Sequence, residues 1–174
     1  MQKQKNALEV RKAAGILRFF LASLFGFRAL LLSKPLKQTT MNPIVRNILA
    51  VFVGIVVGAI VNVLLVNLGP IFISPPTGAN ITTMEGLKAS MHLFEPKHFI
   101  FPWLGHAVGT LVGAYLVAKI AATRKMMLAW LIGIIFLAGG IMMVVQLPSP
   151  MWFNALDLIG AYMPMAWLGH KIAT

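Results

Sequence analysis

Residues 48–80 read ILAVFVGIVVGAIVNVLLVNLGPIFISPPTGAN, with no Lys, Arg, Asp or Glu anywhere in the stretch. A run longer than about 18 apolar residues is enough to carry a helix across bilayer hydrocarbon, so this segment sets the class of the protein. Residues 126–156 repeat the pattern and are again free of charged side chains. Extending outward, apolar runs occupy 47–68, 99–122, 126–147 and 151–167. At about 1.5 Å per residue each crosses most or all of a roughly 30 Å hydrocarbon layer. The expected fold is therefore all-α, a polytopic membrane protein built as a four-helix transmembrane bundle. Trp103 and Trp152 fall near one set of span ends, and Trp130 and Trp167 near the other, as interfacial anchors.

The whole chain agrees with that class. Of its 174 residues 59% are hydrophobic and 11% charged, against roughly 25% charged in soluble domains. It has no cysteine, which excludes disulfides, thiolate metal ligands and cysteine nucleophiles. Fifteen Lys and Arg against four acids give a net charge of +11. The excess lies beside the spans, so it reads as a topology signal and not as a nucleic-acid surface. Lys and Arg crowd the segment up to Arg46, recur at Lys119, Arg124 and Lys125, and end at Lys171. On the opposite face Lys88 and Lys97 are balanced by Glu85 and Glu95, and the turn 146–150 is uncharged. The positive-inside tendency then puts both termini of the core in the cytoplasm, with a bacterial inner (plasma) membrane as the expected location.

Two segments emerge, 1–40 and 41–174. Residues 13–32 are apolar but contain Arg18 and Arg28, each costing about 2.5–3.5 kcal/mol at a bilayer centre. One reading is a basic N-terminal helix lying on the cytoplasmic surface. The other is that the natural chain begins at Met41, where Met-Asn-Pro-Ile-Val-Arg-Asn makes a short polar start before a span.

Apolar helices gain no hydrophobic drive from meeting in lipid, so packing relies on small residues and polar side chains. Gly54 and Gly58 line one side of the first span, and Gly105, Gly109 and Gly113 one side of the second. Val-Gly-x-x-Val-Gly-Ala occurs at Val53 and again at Val108; shared packing chemistry explains this more economically than internal duplication. Pro164 should bend the fourth span. Between the first two spans, Thr82 and Glu85 fit a capping box, and Met84, Leu87, Met91 and Phe94 recur at helical spacing. A short amphipathic helix is expected on the outer surface, ended by Pro96. His92, Glu95 and His98 are not read as metal ligands, because Pro96 breaks their register and no fourth donor is evident.

The candidate site is a polar layer inside the spans. Asp157, His106 and Asn62 come from three spans at similar distances from the outer ends, with Asn154 and Asn67 extending the patch outward. An ionised carboxylate in lipid needs a partner, and His106 is the candidate. Two roles stand: polar glue that pins helix order, or a proton-binding pair. Motifs for catalysis (HExxH, GxSxG, a Walker loop, GxGxxG) are missing, so no catalytic residue, metal or cofactor is expected.

The chain from Met41 to His170 resembles a group of small, uncharacterised four-span bacterial membrane proteins. The likeness rests on Met-Asn-Pro-Ile-Val-Arg-Asn at Met41, Ser-Met-His-Leu-Phe-Glu-Pro-Lys-His-Phe at Ser90 and Pro-Met-Trp-Phe-Asn at Pro150. It implies architecture and location, and no activity. The expected function is that of an accessory or structural membrane protein, packing with itself or with a larger membrane complex. The alternative is a small proton-coupled transporter or permease using Asp157 and His106. The bilayer, a homo-oligomer or a larger complex are the expected partners, and nucleic acid is not.

Overall fold

The computed structural model describes residues 41–174, and all regular structure among them is helical. The expectation of a basic helix over 1–40 lies outside the described residues. Helix α1 spans Pro43–Phe72, α2 Met84–Ser90, α3 Ile100–Ile120, α4 Lys125–Gln146, α5 Met151–Gly160 and α6 Met163–Ala173. Short 3-10 turns at Met91–Leu93 and Pro96–Phe99 connect α2 to α3. Three helical segments, Pro43–Phe72, Pro96–Ile120 and Lys125–Gln146, are long and apolar enough to cross a membrane.

The first helix is longer than the apolar run alone suggests. Asn42 caps it by accepting a hydrogen bond from the Ile44 amide at 2.9 Å, and Pro43 sits in its first turn, where a missing N–H costs nothing. At its other end the helix continues through Pro70 to Phe72. Thirty residues make about 45 Å of helix, which exceeds a roughly 30 Å hydrocarbon layer.

The fourth expected span is not one helix. Helix α5 ends at Gly160, Ala161 and Tyr162 (φ −114°, ψ −73°) form a break, and the chain restarts as α6 with Pro164 in its first turn. The bend assigned to Pro164 is thus a break that begins before it. Continued as one helix, the proline would have no N–H for the Gly160 carbonyl and its ring would collide with it. Restarting the helix places Pro164 where the first turn tolerates it. Helix α2 is capped one residue later than the Thr82 capping box implies. Its cap is Thr83, whose hydroxyl accepts from the Gly86 amide at 3.0 Å, while Thr82 donates to Asn80 Oδ1 at 2.7 Å. Leu87 and Phe94 pack with buried Met91, Phe99 and Phe153, whereas Met84 is exposed.

On α1 side-chain size is distributed inside out relative to a helix of a soluble bundle. The buried positions of α1 are Ala50, Gly54, Gly58, Val61 and Gly69, while Ile44 is 67% and Phe52 65% exposed. Small residues are buried because they let backbones approach, and large ones face outward because lipid accepts them. Helices α1 and α3 run antiparallel. A Cβ on Gly54 would lie 2.8 Å from the Gly113 carbonyl oxygen, and one on Gly113 would lie 2.8 Å from that of Gly54. Gly58 and Gly109 repeat this relation at 2.7 and 2.8 Å. One turn further, Gly105 faces the Asn62 backbone.

Helix α3 is the hub. Its Leu111 to Tyr115 backbone receives Gly169 of α6, where a Cβ would meet the Leu111 carbonyl oxygen at 2.5 Å. Gly133 of α4 faces the Ala166 methyl of α6, which a Cβ there would meet at 2.9 Å, around a core of Ala114, Val117, Ala129, Ile132 and Ala166. Polar ties close the basic end. Asn47 Oδ1 accepts from the Ala122 amide at 2.9 Å, its Nδ2 donates to the Thr123 hydroxyl at 2.9 Å, and Arg46 Nε donates to the Ile120 carbonyl at 2.6 Å. The α3/α4 turn is therefore fastened to the start of α1.

Gly58→Ala is expected to cost about 1–3 kcal/mol, because its methyl meets a backbone carbonyl and the Phe136 ring. Gly139→Ala, with nothing within 4 Å of the new Cβ, should be neutral or stabilising by up to about 1 kcal/mol through helix propensity. Melting temperatures in mild detergent check the pair, and equal shifts would contradict the α1/α3 contact.

Candidate functional site

Asp157 occupies the seventh position of α5 and His106 the seventh of α3, so each lies about 9 Å along its helix from the end that carries the 73–99 loop. Asp157 is 2% exposed, and burial at that depth demands that its carboxylate be bonded. His106 Nδ1 donates to it, at 2.8 Å from Oδ1 and 2.9 Å from Oδ2. The Tyr162 hydroxyl donates to Oδ2 at 2.9 Å. The Tyr162 ring also stacks on the His106 imidazole, with centroids 5.7 Å apart and planes inclined by 28°. One carboxylate thus gathers an imidazole and a phenol, drawn from α3 and from the break between α5 and α6.

The break is what makes the phenol available. On an unbroken helix, residues five apart point about 140° away from each other at 100° per residue, so Tyr162 could not turn back to Asp157. Ending the helix at Gly160 redirects the Tyr162 side chain, and its hydroxyl bonds the carboxylate while packing against Gly140 of α4. A side chain at Gly140 would collide with that hydroxyl. Thr110, fully buried one turn from His106, donates its hydroxyl to the His106 carbonyl at 2.7 Å. This is the usual way a Thr inside a helix satisfies itself, back-bonding one turn earlier.

The remaining residues of the expected layer do not join this cluster. Asn62 packs against Gly105 and Gly109, where a Cβ on Gly105 would lie 3.2 Å from its Oδ1, and it bonds neither His106 nor Asp157. Asn67 donates to the Val63 carbonyl of its own helix at 2.7 Å. Asn154 donates to the Ser149 carbonyl at 3.3 Å, and its Oδ1 is buried with no partner among the described residues, as is Trp103 Nε1. The packing glycines Gly54, Gly58, Gly105, Gly109 and Gly113 all lie at the α1/α3 contact. Sequence reading missed Tyr162 and Thr110. The four-residue step from His106 pointed to Thr110, whereas Tyr162 required knowing that the helix breaks.

Among the described residues no three His, Asp or Glu side chains assemble into a metal-binding group. His92 bonds the Ala89 carbonyl, and His98 accepts from the Glu95 amide at 2.9 Å while its Nε2 donates to the Ser74 carbonyl at 3.2 Å. Glu95 is engaged with Lys97 at 2.9 Å. That hydrogen bond and charge hold the Glu95 carboxyl below its ordinary range.

Asp157→Leu leaves both the imidazole and the phenol without their acceptor and should cost about 3–5 kcal/mol, the usual loss when one partner of a buried pair is removed. Ile159→Leu, at a 74% exposed position, should stay within about 0.5 kcal/mol. Tyr162→Phe should fall between them at about 1.5–3 kcal/mol, for one hydrogen bond to a charged group. Detergent melting curves of the three variants order them, and equal melting temperatures would contradict the pairing. Comparison with protein-family models, characterised proteins and solved structures finds no match to this chain.

Proposed function

We propose that this protein is a small integral membrane protein of accessory or structural type, acting through helix packing with itself or with a larger membrane complex. In this reading it resides in a bacterial inner membrane. It crosses four times, the fourth crossing being made by α5 and α6 in succession, and both termini of the 41–174 core face the cytoplasm. The cations Arg46, Lys119, Arg124, Lys125 and Lys171 at one end, against the neutral balance of the 73–99 loop, support that orientation.

The observation that carries the proposal is the closure of Asp157. Its carboxylate is spent on His106 and Tyr162 and is 2% exposed, which suits a pin better than a binding site. A fully satisfied polar network inside a bundle fixes which helix faces meet. The apolar row on α1, including Ile44, Ile48, Phe52, Val56 and Ile60, supplies surface for lipid or for a partner helix. No step of catalysis is assigned to these residues.

A second reading, transport coupled to protons, draws on the helix break. Interrupted helices beside intramembrane carboxylates are the usual architecture of transporter binding sites, and Tyr162 joins the break directly to Asp157.

The chain has no cysteine, so introduced cysteines report alone. The accessory reading expects Thr77→Cys, at an exposed position of the 73–99 loop, to react with an impermeant maleimide added to intact cells, Thr110→Cys to stay unreactive toward small water-soluble thiol reagents, and the tagged chain to be recovered in stoichiometric complex with another chain or with itself. Labelling of Thr110→Cys from outside, together with loss of a solute or proton flux in Asp157→Asn, would replace it with the transport reading.

A further inference from the structure

Between the first turns of α1 and α4, at the end rich in cations, lies an open groove of about 610 Å³. Its walls are apolar: Ile44, Ile48 and Val51 from α1, and Met127, Leu128 and Leu131 from α4. Its polar lining residues, Asn47, Thr123 and Arg124, lie at the basic end. The groove exists because α1 meets α4 only further along, where Gly54 approaches Ile132 and Gly58 approaches Phe136. From Ile44 to Val51 the groove follows seven helical steps, about 10 Å, so it enters the apolar layer from the basic end.

The charge at the mouth is one-sided. Among the described residues the acids are Glu85, Glu95 and Asp157. The first two belong to the 73–99 segment, and the third is bonded to His106. Of the other cations of this end, Lys119 Nζ lies 5.8 Å from the Tyr115 ring centre, Lys171 Nζ 4.7 Å from that of Trp167, and Arg46 Nε is bonded to the Ile120 carbonyl, while Lys125, next in the chain to Arg124, adds to the positive charge of the mouth. Arg124 has no acidic partner among the described residues. It also holds a left-handed backbone, φ 51°, ψ 34°, a conformation that costs a non-glycine residue about 1–2 kcal/mol. The Thr123 hydroxyl accepts from Asn47 and keeps its own proton to donate. The mouth therefore calls for an anion with oxygen acceptors, and the walls call for a hydrocarbon chain.

We infer that this groove is a binding site for one anionic phospholipid, its phosphate at Arg124 and Thr123 and the upper part of an acyl chain between α1 and α4. Basic pockets between membrane helices select acidic headgroups in this way. A choline headgroup would bring a second cation to Arg124, so phosphatidylglycerol is favoured over phosphatidylcholine with the same chains. The site is separate from the Asp157 cluster and holds under either functional reading.

Full-length protein is purified in mild detergent, and binding of phosphatidylglycerol and of phosphatidylcholine is followed by native mass spectrometry. Wild type should retain one phosphatidylglycerol, with about tenfold preference over phosphatidylcholine, the scale of one like-charge repulsion near a protein surface. Arg124→Gly removes the guanidinium while suiting the left-handed backbone. It should therefore keep or raise the melting temperature and lose the preference, and Ile48→Trp should lower retention of both lipids by filling the groove. In native membranes a benzophenone side chain replacing Met127 should form adducts with phospholipid. Equal retention of the two lipids by wild type, an unchanged preference in Arg124→Gly, or Met127 adducts to residues 1–40 or to a second copy of the chain would each overturn the proposal.

Discussion

The backbones of α1 and α3 touch, and this contact sets the position of the helix against which α1, α4, α5 and α6 are all placed. Gly58 and Gly109, and one turn away Gly54 and Gly113, present carbonyl oxygens to each other's Cα at distances a methyl group would not survive. In a solvent of acyl chains, burying Leu against Leu gains little, so close backbone approach, with its dispersion and weak Cα–H···O contacts, is the means left for holding two helices together. The same logic recurs where α6 meets α3 at Gly169 and α4 at Gly133 and Ala166. On α1 the large side chains Ile44, Ile48 and Phe52 face outward as a consequence.

Once α3 is fixed, its second face becomes the wall of the polar cluster. Asp157 would be an unacceptable charge in such an interior unless His106 and Tyr162 satisfied it, and Tyr162 reaches it only because the chain abandons the helix before Pro164. A proline that costs a helix several kcal/mol in its interior is here placed in a first turn, and the break that results delivers a hydrogen-bond donor. Gly140 completes the fit by leaving room for the phenol. The cluster and the glycine contact are therefore not independent: both hang on the position of α3.

Much of the architecture could be read from composition and periodicity. The uncharged stretches 48–80 and 126–156 announce helices able to cross a membrane, because few other structures keep thirty residues free of charge. Four-residue glycine spacing marks a face, though not which helix it meets. Counting residues from span ends places Asp157, His106 and Asn62 at comparable depth, and depth is all that counting supplies. The structure joins the first two and leaves Asn62 on the glycines, a difference set by helix rotation. The break at Tyr162 was illegible because a proline in a membrane span is compatible with a bend, and only the surrounding packing chooses between bending and restarting. Thr83 took the cap expected of Thr82 because Asn80 competes for the Thr82 hydroxyl.

The central claim is the direct backbone contact between α1 and α3, and it can be measured without altering a residue. Protein with 13C-labelled glycine, reconstituted in lipid bilayers, is examined by solid-state NMR for through-space correlations between glycines. The account predicts cross-peaks linking Gly58 with Gly109 and Gly54 with Gly113. A spectrum in which Gly54 and Gly58 correlate with neither Gly109 nor Gly113, though all four are resolved, would contradict it.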